Sequence, residues 1–286
     1  MRKVNYKNIL LLVAGLLFIM TANGFAAKEG KKPAKDDQQF GEVQGTKKIV
    51  EGEVGPVKEN ICRNPKLCES LEIDLMDSLQ KAKIPVMLQE PKASASAEKY
   101  KIALNLGAVV SDGLSAMINK NKAAFLKVVG ILKEDGKKLG VSEELLTKFT
   151  KQLTDLANKG QWTALGPALY EFKDHMDAEL VNKNMKDEAT LSMVSGTLEG
   201  LYILAKSMDK KFSQKDACLL QSKSLAKYLE KYMNTLSEGV KGKSEIKAIQ
   251  EALPKIDKIA SKKTSCTPQD TKDLIKILEP LHKAME

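Results

Sequence analysis

Two acidic residues stand alone in apolar surroundings, and chemistry would be sought there first. Asp112 is the only charge between Ile102 and Ile118, and Glu199 the only charge between Ala189 and Ala205. Two such carboxylates facing each other would form a pair with perturbed proton affinity, able to act in acid–base chemistry. On a 3.6-residue helix, however, Asp112 falls in line with Asn105, Ser115 and Asn119, and Glu199 with Ser192, Ser195 and Lys206. Narrow polar stripes of this kind are where water would lie, and burial of an unpaired acid is costly. The expectation is a solvated or capped acid at each position, with a buried functional role as the rival.

A second cluster, EFKDHMDAE, places Glu171, His175 and Glu179 on one helical face, where a labile divalent metal could bind. One histidine with carboxylates describes an exposed charged face equally well, and that is the preferred reading. His282 has no partners in sequence. There is no GxSxG, no HExxH, no phosphate loop of the GxxxxGK[ST] type and no CxxCH. The residues therefore argue for a protein that is not an enzyme and that holds no cofactor or resident metal.

Cys62, Cys68, Cys218 and Cys266 make an even number of cysteines. In an exported chain that count implies disulfides, with three connectivities open. Cys62–Cys68, close enough to meet across a turn, and Cys218–Cys266, each near a helix start, are the favoured pairs. Zinc is the rival, disfavoured by the lack of any CxxC and by only two histidines.

The elements that must position these residues are helices. Ile102–Ile118 is apolar around most of its circumference, so other elements must cover it on several sides and it is central. Ala189–Met208 resembles it in kind. Asp112-Gly113-Leu114 aligns with Glu199-Gly200-Leu201, Leu104 with Leu191, and Phe125 with Phe212. Either two related halves are each built on one central helix, or one bundle has two central helices. Gly107, Gly113, Gly196 and Gly200 each cost about 1 kcal/mol relative to Ala inside a helix. They are read as points of close helix approach, with ligand contact as the alternative.

Boundaries follow from punctuation. Gly136 and Gly140 end one helix, and Ser142-Glu143-Glu144 caps the next. Asn158-Lys159-Gly160 ends that one, Ser213-x-x-Asp216 resembles a capping box, and Gly239 and Gly242 precede a start at Ser244-Glu245. Thr267-Pro268-Gln269-Asp270 opens the last helix. Pro167 and Pro254 kink or split the helices that contain them, and Trp162 packs at a helix start. No stretch alternates long enough for a strand. The fold expected is all-α, a multi-helix bundle or layered helical hairpins, with about eight helices after a disordered N-terminal segment.

Upstream, residues 1–26 have a basic end (Arg2, Lys3, Lys7), an apolar run from Ile9 to Met20, and small residues Gly24 and Ala26 flanking Phe25. This is a signal peptide, and the run is short for a membrane span. The mature protein is expected to be periplasmic or secreted, touching a membrane only if the signal is retained. Residues 27–58 are Lys, Gly, Glu, Asp and Gln-rich and read as a disordered tether. Residues 59–92 form a small Cys-containing helical element, with a short helix near 65–81, and residues 93–286 form the all-α domain.

The chain has 46 Lys+Arg against 37 Asp+Glu, a formal +9 that falls to +6 without the three bases of the leader. The signs are interspersed and aromatics are few, so nucleic acid is not an expected partner. Nine methionines remain in the mature chain, and these suit an irregular core or an adaptable groove.

The helix Leu106–Ala116 carries an LGxxxxDGLxA pattern and so resembles uncharacterised exported all-helical proteins of Gram-negative bacteria. That resemblance implies an exported helical fold and no activity, and no residue role follows from it. The function expected is that of a non-enzymatic periplasmic interaction or scaffold module, whose partner is another periplasmic or envelope protein. A carrier or sensor of a small apolar ligand, held between the central helices near Gly113 and Gly200, is the alternative.

Overall fold

Helix Lys99–Ile118 (α1) has almost no surface: seventeen of its twenty residues are buried, as its all-round apolar character requires. It is the one described helix long and apolar enough to cross a membrane, yet 83% of its apolar window is covered by protein, making it the core element. The structure is a computed structural model that describes residues 85–214, 216–221 and 225–285. The segments read from sequence as a signal peptide and a tether, with Cys62, Cys68 and the helix expected near 65–81, lie outside the described residues.

Eight further α-helices follow: α2 (Lys122–Lys138), α3 (Glu143–Asn158), α4 (Trp162–Asn182), α5 (Lys186–Lys210), α6 (Leu225–Met233), α7 (Glu238–Lys241), α8 (Ser244–Ala260) and α9 (Pro268–Met285). A 3-10 turn, Ala217–Leu220, lies between α5 and α6. Helix accounts for 77% of the described residues and none is in a strand, so the fold is all-α.

The central contact is α1 against α5. On one side α2 and α4 pack on α1, with α3 between them on the outside; on the other, α9 and α6 pack on α5, with α8 covering both. One continuous hydrophobic cluster runs through all of this, from Tyr100 to Met285. Glycine sets how closely the central pair meets. A Cβ on Gly107 would lie 1.9 Å from the Ser192 carbonyl oxygen, and one on Gly196 would lie 3.1 Å from that of Gly107. Ser111 Oγ donates to Gly196 O at 2.7 Å just beyond this crossing. The contacts advance together along both helices, so α1 and α5 run parallel. Close approach, the reading preferred for these glycines, is what they provide. At Gly113 the neighbours are Val128 and Leu169, 3.0 and 3.1 Å from a built Cβ.

Most boundaries follow the sequence signals. Gly140 and Gly160 take φ of +83° and +64° after α2 and α3, a conformation glycine adopts without strain. At α9, Thr267 Oγ1 accepts from Asp270 N at 3.2 Å while Asp270 Oδ2 accepts from Thr267 N at 2.9 Å, a reciprocal cap ahead of Pro268. Trp162 is the first residue of α4 and packs, half-buried, against the core.

Other signals were overridden. Pro167 and Pro254 split neither α4 nor α8, which continue through them. Ser142 precedes α3, but its N–H and hydroxyl donate to Glu179 of α4, at 2.8 and 2.9 Å, and do not cap its own helix. At Ser213-x-x-Asp216 the Asp216 N–H returns to Ser213 O and a 3-10 turn follows, with no α-helix. Gln214 and Gln221 explain the difference, because their amides donate to the carbonyls of Cys266, Lys262 and Thr264. Those tertiary bonds outweigh a local helix start.

Candidate functional site

The polar stripe of α1 does not face water. Residues 85–96 belong to no helix or strand, and this strap runs back along α1 with its backbone read by helix side chains. Asn119 Nδ2 donates to Val86 O at 3.1 Å, the Ser115 hydroxyl donates to Met87 O, and Asn105 Nδ2 donates to Lys92 O at 2.9 Å. From α5, Ser207 Oγ accepts from Met87 N at 2.8 Å. From α2, Asp135 accepts from Ser94 N at 3.3 Å, and Lys138 Nζ donates to Ser94 O at 2.7 Å. Asp112 lies on this stripe between Asn105 and Ser115 and is 7% exposed. The expectation of a solvated acid is corrected here: the strap supplies the polar partners that water would have supplied to the stripe.

Asp135, which the sequence did not single out, anchors the strap. It is fully buried, and burial pushes its carboxyl up despite hydrogen bonds from Asn105 and Ser94 N–H and the nearby Lys138. Its sequence signal, an acid on the apolar side of α2 beside Leu132 and Gly136, is legible only once the strap is known.

Glu199 is fully buried too, against the same expectation, and it belongs to a different junction. Its Oε2 lies 2.8 Å from Nδ1 of His282 on α9. The imidazole stacks on Tyr202, one turn along α5, with centroids 4.6 Å apart and planes 22° from parallel. Lys206 Nζ stands 5.8 Å from the centroid of that tyrosine. Glu199 Oε1 and Ser192 Oγ have no hydrogen-bond partner among the described residues. Of the two lone acids, Glu199 therefore joins α5 to α9, while Asp112 lies buried on the polar stripe of α1. A carboxylate holding an imidazole is an acid–base element in chemical terms. Here it joins two core helices, and the imidazole side chain is only 13% exposed.

The EFKDHMDAE face is divided among structural contacts. Glu179 accepts from Ser142 and pairs with Lys183, and His175 packs on Phe149 with centroids 5.0 Å apart. Glu171 points outward. Lys173, nearly buried, pairs with Asp177, whose carboxyl burial pushes up. Among the described residues no three His, Cys, Asp or Glu side chains gather as a metal site.

Cys266 is fully buried just ahead of α9. The backbone of residue 218 lies in the 3-10 turn, between the two glutamines that bind 262–266, while the Cys218 side chain lies outside the described residues. On the surface, α6 and α8 enclose an open cleft of about 370 Å³. It is lined by the buried side chains of Ala226, Met233 and Leu253, by the exposed Pro254, and by the polar groups of Lys227, Glu230, Asn234, Gln250 and Asp257.

No protein-family model, curated protein or solved structure matches this chain.

Proposed function

We propose that this protein is an exported, non-enzymatic helical module that binds another protein of the cell envelope. One observation supports the reading: the open cleft between α6 and α8 is lined by apolar side chains mixed with charged and amide ones, a mixture suited to receiving a helix from a partner. The acids that could have done chemistry join elements of the fold instead, at Glu199–His282, Asp135–Ser94 and Glu179–Ser142. In this reading the leader is removed, residues 27–58 tether the body, and the partner supplies the apolar side chains that fill the cleft.

The same export predicts two disulfides, Cys62–Cys68 and Cys218–Cys266. Support for the second is the pair of glutamines binding the 3-10 turn to the segment that ends at Cys266. Each bridge forms by loss of two protons and two electrons to the disulfide-forming oxidants of an oxidising compartment.

Native mass spectrometry of the protein purified from the periplasm tests these points together. The expected species lacks the leader, loses two hydrogens per bridge relative to the reduced chain, and carries no small molecule. A bound small molecule released on denaturation would overturn the module reading in favour of a ligand carrier. Free thiols would remove the disulfides.

A further inference from the structure

Nδ1 of His282 and Oε2 of Glu199 are 2.8 Å apart, and two lone pairs cannot face each other at that distance, so one proton lies between them. Glu199 is at zero exposure, and its other oxygen has no hydrogen-bond partner among the described residues. With Glu199 ionised, a neutral ring would leave a buried charge with a single neutral donor, an arrangement that is strongly unfavourable. A protonated ring supplies the counter-charge, and it then lies on the face of Tyr202, where a cation is favoured.

We propose that this pair is a proton-dependent latch that closes the C-terminal helix α9 onto α5 and releases it as the medium turns alkaline. The surrounding groups fit that role. Among the described residues the charges from α5 are Glu199 itself and Lys206, whose ammonium stands 5.8 Å from the Tyr202 centroid. From α1, which also touches α9, the interior charge is Asp112. From α8 the inward residues are apolar, Ile249, Ala252, Ile256 and Ile259 among them. On α9, Lys283 pairs with Glu279 at 3.7 Å. The sign follows from the geometry: docking is strongest while the ring holds both protons and weakens as rising pH removes one. Release would open the layer in which α9 packs against α5 and α8, making this junction a pH-responsive element of an exported chain exposed to its medium.

Only two histidines are present, so the test is direct. Long-range proton–nitrogen NMR of the full chain, with His175→Asn for assignment, reads the proton on each nitrogen of His282. The expected result is a doubly protonated ring at neutral pH. Backbone exchange of α9, corrected for its intrinsic pH dependence, should then rise about tenfold or more as that ring loses its proton. In Glu199→Gln the ring should lose its proton at least about one pH unit earlier. A bare Nδ1 at neutral pH, or α9 exchange that ignores the ring's titration, would overturn the latch. Both of these are read on the unmodified chain, so they stand even if the variant does not fold.

Discussion

At Glu245 several donors meet one carboxylate, and the result is a testable dependence on acid. Partial burial opposes its charge, but its own backbone N–H, Lys101 at 3.1 Å and Ser244 at 2.9 Å outweigh burial and hold it at about 2, against an ordinary 4.5. Tyr100 adds its hydroxyl at 3.2 Å. A depressed carboxyl contributes stability that is complete above pH 4.5 and is lost as pH falls towards 2. Glu245→Gln should cost about 1–3 kcal/mol near neutrality, with the difference from the parent vanishing near pH 2 in denaturant titrations. At His282, removal of the ring by substitution with Ala should cost about 3–5 kcal/mol, because it strands Glu199 in the core. The sequence showed Glu199 as an acid out of place. It could not show the partner, which lies 83 residues away on another helix.

Elements were legible where local chemistry decides and illegible where a distant backbone does. The cap at Thr267, the glycine stops at Gly140 and Gly160 and the buried central helices could all be read from spacing. The strap could not, because α1, α2 and α5 hold it largely through its peptide groups, and its few side-chain contacts, such as Val86 in the core and Glu90 with Lys127, follow no helical or strand spacing. It therefore carries no periodicity, and the stripe it covers looked solvated. Asp135→Ala should destabilise the chain by about 2–4 kcal/mol by stranding the Ser94 N–H and the Asn105 amide. It should also expose the Lys92–Ala93 bond to trypsin; unchanged cleavage would show that the strap holds without it. Glycine offers a paired test. Gly107→Ala forces a methyl into the Ser192 carbonyl and should cost about 1–3 kcal/mol or more. Gly130→Ala, on α2 with nothing within 4 Å of its Cβ, should stabilise by up to about 1 kcal/mol. Equal thermal shifts for the two would refute the close crossing of α1 and α5.

The described residues form two sets of helices, one around α1 and one around α5. That is how an internal duplication would look, and the parallel run of α1 and α5 agrees with their alignment. The match breaks at its outer end: Phe125 is fully buried on α2, whereas Phe212 is half-buried in the segment after α5. What the sequence left open at this scale was the use of the surface, since a cleft between α6 and α8 arises from residues up to about thirty apart and has no motif. We propose that this cleft receives a partner protein. The most direct measurement is photo-crosslinking in intact cells from a photoreactive residue placed at position 230, with position 148 on α3 as the control. One discrete envelope-protein adduct is expected from position 230 and none from position 148. No adduct at 230, or the same adducts from both positions, would contradict it.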